Sequence, residues 1–325
     1  METVALTVTY NSSLLLKKTL DALLMQTHSV DKIVIVDNAS NDENRDRLKE
    51  YKKASDKIDI VWMETNEGGA GGFYAAMKYA KEQYDPKWFW LMDDDAYPSE
   101  NCLSVLMSYT EKLSDIGFLA PIIWGIDNKK HQLYHHKKAE KGIVCRFKPI
   151  AESGDRISKI ELLDANAFVG PLISAEAVSK CGYPRSELFI EGDDTDYTFR
   201  ISRQFNGYLI KDAQMNHRDV TINGQLDPKG WWKDYYWYRN TLLFQKQNIT
   251  GIKRFAGILY VIVWCLKSKR SMQNDDRYQK LMPLRWYVMK KGVMDGLRNI
   301  AGKQLSPQDY FAMLDQFIKT GTIKK

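Results

Sequence analysis

Short apolar segments that alternate with helically spaced stretches constrain this chain most. Residues 4–9, 32–36, 58–63 and 88–92 are strand-like runs. The stretch 13–26 carries Leu14, Leu15, Leu20, Leu23 and Leu24 at helical spacing, and 45–54 and 73–83 read as two further helices. Strands without polar alternation need cover on both faces, so the order β-α-β-α-β-α-β predicts an α/β fold with a mostly parallel, Rossmann-like sheet flanked by helices. Ligands of such sheets sit beyond the carboxyl ends of the strands. Thr9-Tyr10-Asn11, Asp37-Asn38, residues 66–72 and Asp93-Asp94-Asp95 all fall at such ends, which predicts four polar clusters converging on one cleft.

The rest of the chain is less regular. Residues 125–160, with His131, His135 and His136, read as a hairpin or loop excursion. A short strand is expected at 208–210, after which residues 231–325 look largely helical. This divides the chain into a catalytic domain over 1–245 and a helical C-terminal extension over 246–325. The 325 residues are 44% hydrophobic, which excludes disorder and fibrous architecture. Cys102, Cys145, Cys181 and Cys265 stand far apart, without zinc-site spacing or the density of a disulfide scaffold. Met1-Glu2-Thr3 leads straight into an apolar strand without the basic start of a signal peptide, so a reducing, cytoplasmic setting is expected.

Charge is unevenly spread. The formal net charge is +6, yet residues 241–325 hold 16 Lys and Arg against 5 Asp and Glu. Within that region the apolar run 255–266 is too short to span a bilayer. Lys267, Lys269 and Arg270 follow it, and Arg285, Lys290, Lys291 and Arg298 stand near Trp286 and Tyr287. The basic tail suits either a solvated helix surface or a polyanion, whether nucleic acid, anionic lipid or a phosphorylated acceptor, and its aromatic interleaving suits either simple packing or peripheral attachment to an anionic membrane surface.

Three adjacent aspartates at the end of a buried strand repel one another and call for a cation. Hard oxygen ligands suit Mg²⁺ or Mn²⁺, which in turn suits a diphosphate. The glycines at 68, 69, 71 and 72 permit close approach of backbone to a ligand, and an ordinary tight turn explains them as well. Asp193, Asp194 and Asp196 open a helix after an apolar run; they serve either as N-terminal acidic residues or as a source of a general base. His217 gains interest only as an imidazole completing a carboxylate metal site.

Taken in order, Val8-Thr9-Tyr10-Asn11, Val36-Asp37-Asn38-Ala39-Ser40, residues 66–73, Asp93-Asp94-Asp95, Asp193-Asp194-Thr195-Asp196 and His217 resemble the inverting family 2 glycosyltransferases of GT-A fold, over roughly residues 3–245. The glycine-rich segment, the triple aspartate and the aromatic stretch 231–240 look most like bacterial galactofuranosyltransferases, with rhamnosyltransferases next. The resemblance implies that Asp37 holds the nucleobase, that Thr9 and Asn11 line its pocket, and that Asn66, Gly68, Gly69, Gly71, Gly72 and Asp94 border the donor. It further implies Asp93, Asp95 and His217 as metal ligands and Asp194 as catalytic base. Asp193, Asp196, Trp231 and Trp232 would face the acceptor.

The implied reaction is direct displacement at an anomeric carbon, moving galactofuranose from its UDP-sugar to a glycan or polyprenyl-diphosphate-linked saccharide in cell-surface polysaccharide synthesis. A dTDP-sugar, dTDP-rhamnose, is the nearest alternative donor. The expected location is the inner face of the bacterial plasma membrane, without a nucleic-acid partner. A non-catalytic nucleotide- or glycan-binding module would need the cleft but no base. A nicotinamide dehydrogenase would place its glycines after the first strand, where this chain has Thr9-Tyr10-Asn11-Ser12.

Overall fold

A computed structural model describes residues 1–126, 129–218, 227–272 and 279–323. They form two compact units: Met1–Ala139, Phe147–Ser186 and Asp194–Asp219 make the first, and Glu140–Arg146, Glu187–Asp193 and Val220–Lys325 the second.

The first unit is built on a nine-stranded sheet. Its strands are β1 (Thr3–Thr9), β2 (Lys32–Asp37), β3 (Ile58–Trp62), β4 (Trp88–Asp93), β5 (Ala96–Pro98), β6 (Ile116–Gly125), β9 (Ile160–Leu163), β11 (Leu172–Ser174) and β12 (Asn206–His217). The order is β3-β2-β1-β4-β11-β6-β12-β5, with β9 pairing on β12. A small second sheet, β10-β7-β8, joins β7 (His136–Ala139), β8 (Phe147–Pro149) and β10 (Ala165–Asn166); β7 and β8 are the hairpin expected within 125–160.

Side-chain alternation explains why the central strands are apolar throughout. Val4 and Leu6 of β1, Val34 and Val36 of β2, and Phe89 and Leu91 of β4 enter one core, while Ala5, Ile33, Ile35, Trp90 and Met92 enter another. Helix α3 (Gly68–Tyr84) covers the first face through Phe73, Ala76, Met77 and Ala80. Helices α1 (Ser13–Leu24), α2 (Asp42–Ala54) and α4 (Cys102–Thr110) cover the second through Leu16, Leu20, Leu23, Leu48, Leu103 and Leu106. Helix α2 is only weakly apolar and is fixed at its start by the Asn41 side chain, which accepts from the Asn44 N–H. Acidic Asp42 and Glu43 then face its positive end and Lys52 and Lys53 its negative one. Two shorter helices, α5 (Ala175–Cys181) and α6 (Asp193–Ser202), follow.

Three boundaries differ from expectation. Helix α3 begins at Gly68, so the glycine-rich segment is its first turn rather than a loop before it. Strand β12 spans Asn206–His217 instead of three residues; its far half alternates buried Ala213, Met215 and His217 with polar Asp212, Gln214 and Asn216, a period of two that the hydrophobic pattern hides. The break expected at residue 245 falls inside a continuous helix, α7 (Trp232–Asn248). That helix packs Trp231, Trp232, Tyr235 and Tyr236 against Met282, Leu284, Val288, Tyr310 and Leu314, so it belongs with the tail.

The second unit is helical: α7, α8 (Gly251–Met272), α9 (Met282–Leu297) and α10 (Pro307–Thr320). Helix α10 opens with a reciprocal Ser306/Asp309 capping box and closes at Gly321 with φ of 65°. Among the described residues no helix is long and apolar enough to cross a membrane.

Candidate functional site

Strand register assembles the site on one edge of the sheet. Strands β2, β1 and β4 are parallel, and the pairings Val8↔Asp93 and Thr9↔Asp37 bring their carboxyl ends level. Strand β11 is antiparallel to both β4 and β6, so β6 and its parallel neighbour β12 recover the direction of β4. His217, the last residue of β12, therefore ends on the same edge. It sits opposite Ala96 across the β5–β12 pairing, which sets its Nε2 3.3 Å from Oδ1 of Asp95.

One ligand atom from each of Asp93, Asp95 and His217 lies within 4.8 Å of the others. Two carboxylates and an imidazole nitrogen are a donor set for Mn²⁺ or Mg²⁺ with positions left for diphosphate oxygens. Electrostatics agree with that fit. Burial, the neighbouring Asp95 and then Asp94 and Asp194 push the Asp93 carboxyl up to about 7, against the opposing pull of His217. Burial also raises Asp94 to about 6, although its carboxylate accepts from Thr9 Oγ1 at 2.7 Å.

Gln132, which no sequence pattern singled out, orients the histidine. Its Oε1 lies 2.8 Å from His217 Nδ1, which turns Nε2 of the same ring toward Asp95. Gln132 is itself buried, its backbone N–H donating to the carbonyl of Ile123 in β6 and its side-chain Nε2 to the carbonyl of Arg218. His135 stacks edge-on to His217 at 5.2 Å, and burial keeps it neutral. His136 is spent on Asn166 of the second sheet, so neither histidine joins the carboxylate cluster.

The β1 and β2 ends form a braced floor. Asn11, at φ 53°, donates its N–H to Ser40 Oγ and accepts from the Asn41 N–H. Asp37 is fully buried; Arg45 Nε donates to Oδ2 at 2.7 Å and the Ser40 amide to Oδ1. A nucleobase contact would have to use the lone pairs these leave. Asn38 ties the floor to α3, accepting from Glu67 N–H and donating to the Gly68 carbonyl, while Asn66 Oδ1 accepts from Gly68 N–H. Gly68 has φ of 71°, and a Cβ on Gly72 would stand 2.4 Å from Val8 Cγ1. These two glycines start the helix and seat it against β1; Gly69 and Gly71 lie in the same first turn.

Asp194 stands in the first turn of α6, where Thr195 donates to it, and its charge is among those acting on Asp93. Asp196 is otherwise engaged: Oδ1 pairs with Arg185 at 2.6 Å and Oδ2 with Arg200 at 3.1 Å, both oxygens serving a buried ion pair rather than an acceptor. Asp193 is buried and grouped with the second unit. Trp231 and Trp232 are 2% and 9% exposed in that unit's core, with the Arg285 guanidinium over the Trp231 ring. Little ring face remains on which a sugar could stack.

Within the second unit, the segment before α6 is strained, with Phe189 and Glu191 at φ of 64° and 70°. Buried Asn240 holds it, its Nδ2 donating to the carbonyls of Leu188, Ile190 and Glu191, and Arg239 adds a bond to Leu188.

Known proteins resemble this chain in sequence and in fold. The chain is 29% identical over 209 residues to the galactofuranosyltransferase GlfT1 of Mycolicibacterium smegmatis, covering 61% of this chain and 65% of that protein. It is 31% identical over 207 residues to the GlfT1 of Mycobacterium tuberculosis strain H37Rv, covering 61% and 64%. The chain thus matches just under two thirds of the length of these relatives. A mannosyltransferase from Pyrobaculum calidifontis, solved in complex with GDP-Man and Mn²⁺, superposes with a TM-score of 0.56 at 13% identity, over 92% of this chain and 87% of that one. Staphylococcus aureus TarS 1–349 in complex with UDP gives 0.55 at 14% identity, over 100% and 93%. The fold is thus of the expected GT-A kind. Residues 5–167, which carry β1 to β4 and the three aspartates, match the model for glycosyl transferase family 2, and the chain belongs to that family.

Proposed function

We propose that this chain is an inverting galactofuranosyltransferase, taking its sugar from UDP-galactofuranose and delivering it to a hydroxyl of a glycan or polyprenyl-diphosphate-linked saccharide. The observation that carries this reading is the convergence of Asp93, Asp95 and His217 at the carboxyl edge of the sheet, with the Asp194 charge acting on Asp93. The names of the mycobacterial relatives supply the sugar.

In this reading Asp194 accepts the proton of the acceptor hydroxyl as its oxygen attacks the anomeric carbon. The new C–O bond forms on the face opposite the departing group, and the electron pair of the broken bond leaves on the nucleoside diphosphate. Asp93, Asp95 and His217 would hold Mn²⁺ or Mg²⁺, which when bound supplies Lewis-acid stabilisation of the leaving diphosphate. That demand is acute because residues 54–77 contain no Lys or Arg except Lys57. The Asn11–Ser40–Asn41 bracing keeps the floor beneath the nucleotide rigid.

The test is mass transfer from UDP-galactofuranose and, separately, dTDP-rhamnose to a synthetic lipid-linked acceptor. Turnover with the UDP-sugar, lowered by roughly 10²–10⁴-fold in Asp194→Asn, supports the reading. Turnover with dTDP-rhamnose alone overturns the donor, and full activity of Asp194→Asn overturns the base.

A further inference from the structure

Helix α8 is apolar on two opposite sides, and among the described residues only one of them is buried by packing. Val261 and Cys265 are buried among Tyr238 and Leu242 of α7 and Met289 and Val293 of α9. Gly257 lets this side close in, since a Cβ there would meet the Gln245 side chain at 2.1 Å. On the other side Ile252, Phe255, Leu259, Val263 and Leu266 follow one another at steps of three or four, and they are 69%, 68%, 61%, 38% and 56% exposed.

At 100° per residue these five fall within an arc of about 80°, a line about 20 Å long on the open side of the helix. Scattered exposed apolar residues are ordinary on a protein surface, whereas a continuous line of five marks a contact surface. Cations stand near both ends of the line, Lys253 in the first turn and Lys267 after Leu266, while Arg254 lies on the packed side with its Nε donating to the Ile249 carbonyl. The side chains of Lys269 and Arg270 lie outside the described residues. The surrounding sequence is strongly cationic as well, with 16 Lys and Arg against 5 Asp and Glu in residues 241–325.

We propose that this face of α8 docks on an anionic lipid surface. The helix would lie in the plane of the headgroups, with Phe255 and Leu259 entering the acyl boundary and Lys253 and Lys267 reaching the phosphates. Charge favours this occupant over a second copy, because a two-fold pairing would set the same cationic ends against each other. The line itself carries no charge for a polyanion such as nucleic acid to meet.

The experiment is co-sedimentation of the full chain with phosphatidylcholine vesicles containing 0 or roughly 30% phosphatidylglycerol, at low and high salt, comparing wild type with Phe255→Glu/Leu259→Glu. Both positions are exposed, and a thermal melt matching wild type certifies the fold of the variant. Wild type should partition onto the anionic vesicles at least tenfold better than onto neutral ones, and the variant should lose at least tenfold of that binding. Equal partition of the two proteins, or wild type left in the supernatant with anionic vesicles, overturns the proposal. So does a wild-type dimer that the variant dissolves without any vesicle binding. Turnover of a water-soluble acceptor should be equal in the two proteins, so failure of the donor assignment would register separately from failure of docking.

Discussion

The carboxamide oxygen of Gln132 lies 2.8 Å from Nδ1 of His217, and Nε2 of the same ring lies 3.3 Å from Asp95. The imidazole is thereby held in one orientation, Nδ1 toward Gln132 and Nε2 toward Asp95. Gln132→Leu should weaken Mn²⁺ binding by about 10–100-fold, and Gln132→Glu, which keeps an acceptor at the same place, should retain most of it. Titration of free Mn²⁺ by electron paramagnetic resonance reads both. Unchanged affinity in the leucine variant would show that the ring is held by its neighbours instead.

Asp93, pushed up to about 7, gives the site a proton to lose. A carboxyl whose folded pKa is raised favours the fold fully below its unfolded value near 4, and that contribution fades as pH climbs through about 7. The metal-free protein should therefore lose this increment of stability between about pH 4 and pH 7, as thermal melts would record. Mn²⁺ must displace the same proton, so its apparent affinity should rise on the order of tenfold from pH 6 to pH 8. Calorimetry in buffers of different ionisation enthalpy should detect about one proton released per ion at pH 6.

Gly72 faces β1 where a methyl group has no room, 2.4 Å from Val8 Cγ1. Gly72→Ala should cost about 1–3 kcal/mol by chemical denaturation. Because the displaced helix carries the Asn38 contacts at its start, nucleotide affinity should fall along with stability.

Asn240 donates to three carbonyls of the strained segment that ends just before Asp194. Asn240→Ala leaves those carbonyls short of donors, at a cost of about 1–3 kcal/mol. Turnover should drop more than donor affinity does, since the segment leads into Asp194, the proposed base, and not into Asp93, Asp95 or His217. Steady-state kinetics beside UDP titration would separate the two.

The first hundred residues were legible because strand alternation and apolar spacing agree there, and both faces of β1, β2 and β4 are buried. Asp93, Asp95 and His217 could be picked out by chemistry, and strand register then brought them together. The parts that stayed hidden are those with no local pattern. Gln132 is one polar residue in a turn, and its role depends on where β12 ends. Strand β12 itself looked short because its second half alternates with polar residues. The aromatic stretch at 231–238 reads equally well as a sugar platform or a core, and only the packing against Leu284 and Tyr310 distinguishes the two. Asp196 looked available until Arg185 and Arg200 took both of its oxygens.

The pairing of β5 with the last residues of β12 has a consequence for biosynthesis of the protein. A nascent chain released just before residue 217 would hold Asp93 and Asp95 and would still lack the imidazole that completes their cluster. The cluster of Asp93, Asp95 and His217 is thus incomplete until the final strand of the sheet has been threaded into place.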